Sequence, residues 1–159
     1  MASWNDVSVA APAFAAAARE MLDTHRHKTL ATLRKDGSLR ISGIEVEFVD
    51  GELWLGAMWQ SRKALDLLRD PRFALHSVTA GSEAWPGDAK IAGRAEEVTD
   101  PERKQAVQAA SAGEAPPGPF HLFRADVTEV VIVRAGNPPD HLVVEFWREG
   151  AGLRRVEQR

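Results

Sequence analysis

A chain of 159 residues, 44% of them hydrophobic and 27% charged, is long enough to bury one domain's core without disulfides or structural metals. It has no cysteine, which excludes thiol nucleophiles, thiolate metal sites and disulfides. A formal charge of −3 argues against a general nucleic-acid coat while leaving room for a local basic patch. No run approaches the roughly 20 apolar residues of a membrane span, and Met1-Ala2-Ser3-Trp4-Asn5-Asp6 lacks the basic start of a secretory signal. The expectation is a single cytoplasmic domain over 1–159, with neither nucleic acid nor membrane as partner.

Residues Pro12 to Thr24 place Phe14, Ala17, Ala18, Met21 and Leu22 at helical spacing, with Pro12 suited to a first turn. Lys28 to Arg34 alternates and stops at Lys35-Asp36-Gly37-Ser38, a strand and its turn. In the next strand, Leu39 to Val49, the apolar phase changes: Leu39 and Ile41 are odd, Ile44, Val46 and Phe48 even. A β-bulge at Ser42-Gly43 would keep both sets on the core side. Asp50-Gly51 turns into a third strand, Glu52 to Met58.

Ser61 to Asp70 reads as a short helix with Ala64, Leu65 and Leu68 on its apolar face, ended by Pro71. Asp66 and Asp70 read as a solvated face. Strands follow at Arg72 to Val78 and Asp88 to Val98, separated by an exposed loop from Thr79 to Gly87 carrying Trp85. Asp100-Pro101-Glu102 opens a helix to about Ala112: cap, N1 proline, acid. A turn-rich linker, Gly113 to Pro119, leads to strands at about Leu122 to Val133 and Leu142 to Trp147. The helix covers about 12–24 and the strands about 28–149. Because the strands do not alternate with helices, the pattern disfavours a doubly wound nucleotide fold and favours a mainly β, small antiparallel barrel with helices at its rim.

Arg62 and Lys63 stand just behind a plausible N-cap, Ser61. Cations at a helix start oppose the dipole by about 0.3–1 kcal/mol each. A bound phosphate reverses that sign, because free N–H groups, a serine hydroxyl and two cations then converge on one anion. A solvated basic turn with a capping serine is the other reading, and local sequence leaves both open.

The ordered set of strand, Asp-Gly turn, Arg40-Ile41-Ser42-Gly43-Ile44, Asp-Gly turn, strand, then Ser61-Arg62-Lys63-Ala64-Leu65-Asp66-Leu67-Leu68-Arg69-Asp70-Pro71-Arg72 resembles the pyridoxamine 5′-phosphate oxidase-like split-barrel superfamily. The resemblance runs from about Met21 to Trp147. It implies a six-stranded antiparallel split β-barrel and a homodimer with cofactor sites at its interface. It also implies coenzyme F420, slightly favoured, or FMN, with the ring along Ser42, Gly43 and Ile44 and the phosphate near Ser61, Arg62 and Lys63. Met58, Trp59 and Gln60 join this site by adjacency, Trp59 as a ring or ribityl contact. Arg40 is a candidate for an acidic tail or substrate carboxylate, with surface solvation as its alternative.

The activity implied is hydride transfer between F420 or FMN and a small conjugated organic substrate, the cofactor carrying the chemistry. The alternative is a non-catalytic flavin-, deazaflavin- or haem-binding protein on the same barrel. The chain lacks a clear copy of the arginine and histidine segment with which true pyridoxamine phosphate oxidases bind substrate; Trp147-Arg148 and Arg154-Arg155 echo it loosely. No catalytic residue or metal ligand is assigned. His25, His27, His76, His121 and His141 lack metal-site spacing, and Glu45 and Glu47 fall on a polar strand phase. Val130-Val131-Ile132-Val133, apolar on both faces, adds to the expectation of a homodimer.

Overall fold

The computed structural model describes residues 1–78 and 85–159. Two helices come first: α1 (Trp4–Ala10) and α2 (Pro12–Asp23). The first was not apparent from apolar spacing. It is fixed by a capping box in which the Ser3 hydroxyl accepts from the Asp6 amide and the Asp6 carboxylate accepts from the Ser3 amide. Trp4, Val7, Phe14, Ala15, Ala18 and Leu22 of this pair are all buried in the main core, so the helices close the barrel on one side.

Six strands make the barrel: β1 (His27–Leu33), β2 (Leu39–Val49), β3 (Glu52–Met58), β4 (Arg72–His76), β5 (Asp88–Glu97) and β6 (Phe120–Ala135). Their antiparallel order is β3-β2-β1-β4-β5-β6, and pairing of β3 with β6 closes the circle. Leu30, Ile44, Leu53, Leu55, Leu75 and Phe123, each 3% exposed or less, fill the interior. The short helix α3 (Arg62–Arg69) joins β3 to β4, and α4 (Pro101–Ala110) joins β5 to β6. Asp100 caps α4 through bonds from the Glu102 and Arg103 amides, as the sequence pattern requires.

The 16-residue β6 outruns the barrel. Beyond it, β7 (Leu142–Arg148) and β8 (Gly152–Gln158) continue the same sheet as an antiparallel ribbon. No alternation in the sequence marks β8, whose residues 153–158 are all exposed. Much of the loop expected from Thr79 to Gly87 lies outside the described residues; Trp85 is half-buried and its indole donates to Asp88 Oδ1 at 3.4 Å.

The bulge expected at Ser42-Gly43 is absent. β1 and β2 stay in register from Leu33↔Leu39 through His27↔Glu45. The phase change has another cause: Leu39 and Ile41 face outward, 68% and 74% exposed, while Ile44 and Val46 face the core. The register shift of this barrel lies between Ala92 and Gly93, where Ala92 pairs with Glu129 and Gly93 with Val127. Thr128 is the extra residue, and its hydroxyl donates to the Ala92 carbonyl at 3.1 Å. A Cβ on Gly93 would lie 2.1 Å from the Asp126 carbonyl oxygen, so glycine permits the close approach of the two strands there.

Candidate functional site

Outward-facing residues of β2, β3 and β6 form a floor, and α4 with the chain that follows it forms a wall. Val107 of α4 packs on Trp54, Leu122, Val49 and Val98 in a small apolar cluster outside the barrel. Beside it opens a cleft of about 530 Å³ whose lining includes Gly43, Gly56, Met58, Lys63, Pro117 and Phe120. Side chains are missing from the middle of its floor. A Cβ on Gly43 or Gly56 would meet nothing within 4 Å, so both glycines leave flat, open backbone there. A more open hollow of about 750 Å³ adjoins it, lined by Thr99, Lys104, Gln105 and Phe120. Its lysine is engaged, with Nζ donating to the Phe120 carbonyl and lying 4.4 Å from that ring's centroid.

The turn into α3 bounds the cleft. Ser61 is the N-cap by backbone position, but its side chain makes no capping bond, and its buried Oγ has no hydrogen-bond partner among the described residues. The first-turn amides of α3 are thus left without a side-chain acceptor. Arg62 is exposed and makes no ion pair or hydrogen bond among the described residues. The Lys63 ammonium donates to the Gly43 carbonyl at 2.8 Å, and burial lowers its pKa from the ordinary lysine value. An anion at this corner would favour the charged ammonium and supply an acceptor for Ser61.

Acidic groups also line the cleft. Glu45 Oε1 lies 3.0 Å from Arg26 Nε and 3.1 Å from His27 Nε2. Glu47 Oε1 accepts from the Gly113 amide at 3.3 Å, tying the segment after α4 to β2. Among the described residues no group of three or more histidine, cysteine or acidic side chains could hold a metal ion.

Of the residues singled out by sequence, Gly43, Ile44, Met58 and Lys63 line the cleft, and Trp59, Gln60, Ser61 and Arg62 form the adjoining turn and helix start. The Ile44 side chain points into the core at 3% exposure, so the strand offers the cleft its backbone there. Ser42 shares that inward phase. Arg40 is not simply solvated, because its Nε donates to Asp66 Oδ2 at 2.7 Å. Asp66 is not on a solvated face either. It is 3% exposed and also accepts from Thr32 Oγ1 at 2.7 Å and Arg69 at 3.0 Å. The buried face of α3 is Ala64, Asp66 and Leu67, with Leu68 46% exposed; this polar clamp turns the helix away from the face its leucines suggest. The wall from Val107 to Phe120 was missed, since its linker reads only as turn-rich.

A closed antiparallel six-stranded barrel with rim helices, and an outer cleft ending at a helix start, defines the split-barrel class. The family profile described as pyridoxamine 5′-phosphate oxidase matches residues 14–134. The chain belongs to that family. Among solved structures it is similar to a pyridoxamine 5′-phosphate oxidase-related, FMN binding protein from Nostoc punctiforme, at 15% identity and TM-score 0.62, covering 91% of this chain and 94% of that one. A heme binding protein from Mycobacterium smegmatis matches at 16% identity and TM-score 0.61, over 99% and 88% of the two chains. A protein described as an F420 reductase matches at 16% identity and TM-score 0.54, over 70% and 94%. At these identities the likeness shows the fold. Comparison with curated proteins gives no match.

Proposed function

We propose that the cleft binds a flavin-type cofactor, F420 or FMN, and that the protein transfers hydride between it and a small conjugated organic substrate. The observation that carries this reading is the buried Ser61 Oγ, unpartnered among the described residues, at an uncapped helix start, next to an Arg62 likewise unpaired among them and a partly buried Lys63. Buried polar atoms are normally hydrogen-bonded, and a phosphate supplies acceptors for the hydroxyl, the amides and both cations. The open backbone at Gly43 and Gly56 provides room for a flat ring, with Met58 and Phe120, paired across β3 and β6, in the same lining.

A bound flavin or deazaflavin supplies the hydride chemistry itself. The chain's residues bind and orient: Ser61, Arg62 and Lys63 hold the anion, while the β2 and β3 backbone sets the ring plane. Val107 and Phe120 keep water from one side. The family membership and the FMN- and F420-associated structures of the same fold support this reading. We also propose a homodimer, supported by the outward Leu39 and Ile41 and the half-buried Val131 and Val133; sedimentation as a monomer at micromolar concentration with cofactor present would contradict it.

Separate titrations with FMN and F420 test the reading, followed by turnover of the reduced cofactor with a panel of enones and tetrapyrroles. Saturable binding of one per chain with turnover is expected. Binding without turnover on any substrate would make the protein a carrier, and binding of neither cofactor would overturn the assignment.

A further inference from the structure

We infer that His121 is a positioning residue for the cofactor end of the cleft: its Nε2 holds the Gln60 amide, and through it the turn that presents the start of α3. The functional half of this inference rests on the proposed cofactor site. His121 sits in β6, 2% exposed. Its Nδ1 lies 2.7 Å from Glu97 Oε1 on β5, and the Gln60 amide nitrogen lies 3.3 Å from its Nε2. A backbone N–H can only donate, so Nε2 is the acceptor and Nδ1 carries the proton that goes to Glu97. The carboxylate thereby fixes the tautomer that the turn requires.

The turn needs such a hold. Gln60 has φ +56°, in the left-handed region that side chains other than Gly, Asn and Asp rarely adopt. Such a conformation persists only where its surroundings impose it. Ser61 N–H donates to the Met58 carbonyl at 3.1 Å, closing the turn. The Trp59 indole stacks on the His121 ring, centroids 4.5 Å apart and planes within 10°. His121 therefore grips the residues on both sides of the bend, Trp59 by its face and Gln60 by its edge. The next residue is Ser61, with the unpartnered hydroxyl. If Gln60 relaxes to an ordinary φ, Ser61 and the first turn of α3 change direction together.

Two substitutions separate the edges of the imidazole. His121→Asn keeps a donor near Nδ1 for Glu97 and removes the acceptor at Nε2. His121→Gln keeps an acceptor near Nε2 and removes the donor. Gln60→Pro, at an exposed position, leaves His121 intact but takes away both the N–H and the left-handed φ. Each is assayed by FMN and F420 titration and, without ligand, by hydrogen exchange across residues 58–62; Gln60 reports there in the parent and the His121 variants. We expect His121→Asn and Gln60→Pro to weaken cofactor binding about tenfold, the scale of one hydrogen bond, with exchange faster across the turn. His121→Gln, which keeps the bond to Gln60 but loses the Trp59 stack, should lose several-fold less than His121→Asn on both readouts. Parent-like affinity and protection in His121→Asn, or equal losses in the Asn and Gln variants, would overturn the inference and leave His121 a core residue. Should the parent bind neither cofactor, the cofactor reading fails while the exchange data still decide whether His121 holds the turn.

Discussion

The two ends of the α3 segment treat polar groups in opposite ways. On its inner face Asp66 receives three hydrogen bonds, from Thr32, Arg40 and Arg69. At its N-terminus, one turn away, Ser61 Oγ has none and Arg62 has no partner among the described residues. Burial separates them in part, since Thr32 and Asp66 are 2% and 3% exposed while Ser61 and Lys63 are half-buried and Arg62 exposed. The rest of the difference lies in completeness. The Asp66 end is closed by the protein's own donors and anchors the helix to β1 and β2, whereas the Ser61 end keeps an unpartnered hydroxyl among the described residues, the place where the proposed cofactor would supply an acceptor. Substitutions at the first should therefore alter stability, and at the second affinity.

The sharpest test is Asp66→Ala, which leaves Arg40 half-buried with no carboxylate. Loss of one partner from a buried ion pair costs about 3–5 kcal/mol, so urea denaturation should show a loss near 3 kcal/mol. A loss below about 1 kcal/mol would place this clamp with ordinary surface pairs. Next in size is Gly43→Val. With open space at its Cβ position and no left-handed φ, stability should change by no more than about 0.5 kcal/mol. A branched side chain on the floor of the cleft should nevertheless weaken FMN or F420 binding about a hundredfold, roughly 2.7 kcal/mol. Gly56→Ala should do less. Parent-like binding by Gly43→Val would remove the ring from this strand.

Arg62→Ala and Lys63→Ala should each lower cofactor affinity about tenfold, about 1.4 kcal/mol, with the melting temperature nearly unchanged. If both titrate as the parent does, this end of α3 is a solvated basic turn. The smallest effect is the response to acid. For Asp66 burial, the largest single influence, pushes its carboxyl up, but the hydrogen bonds from Arg40, Thr32 and Arg69 outweigh it and hold it below the usual range. Arg72 holds the Asp70 carboxyl down to about 2. Both pKa values are lower folded than unfolded, so their stabilisation is complete above about pH 4 and is lost as pH falls through the folded values. The urea midpoint should decline between about pH 4 and pH 2, less in Asp70→Asn. A flat midpoint over that range would contradict both shifts.

The barrel was legible where turn chemistry and alternation agree. β2 runs between two Asp-Gly turns and β3 follows the second, and their bounds, Leu39–Val49 and Glu52–Met58, match the sequence pattern. The closed six-stranded class followed from strand order and family resemblance together. β8 escaped because Leu153-Arg154-Arg155-Val156-Glu157-Gln158 has no buried face to impose an alternation. The supposed bulge in β2 had a related origin: an exposed apolar pair, Leu39 and Ile41, reads as core when every hydrophobic residue is assigned inward. At the candidate site, Ser61, Arg62 and Lys63 could be picked out because cations at a helix start are locally unfavourable. The partners of Arg40 and Asp66, 26 residues apart in the chain, carry no local signal. Neither does His121, whose value depends on Gln60 and Glu97 meeting it from two other segments.

The seam between β3 and β6 pairs Met58 with Phe120 and Trp54 with Arg124, residues separated by α3, two strands and α4. Contacts this distant in sequence form late, because the intervening loop must be closed before they add stability. The floor of the cleft runs across that seam, and His121 lies within it, opposite Ala57. A chain halted before β6 docks thus has β2, β3 and the basic turn but neither the cleft nor the grip on Gln60. Binding at the proposed cofactor site therefore requires the finished barrel, and a ligand there should stabilise the closed state against reopening without speeding the hairpins that precede it.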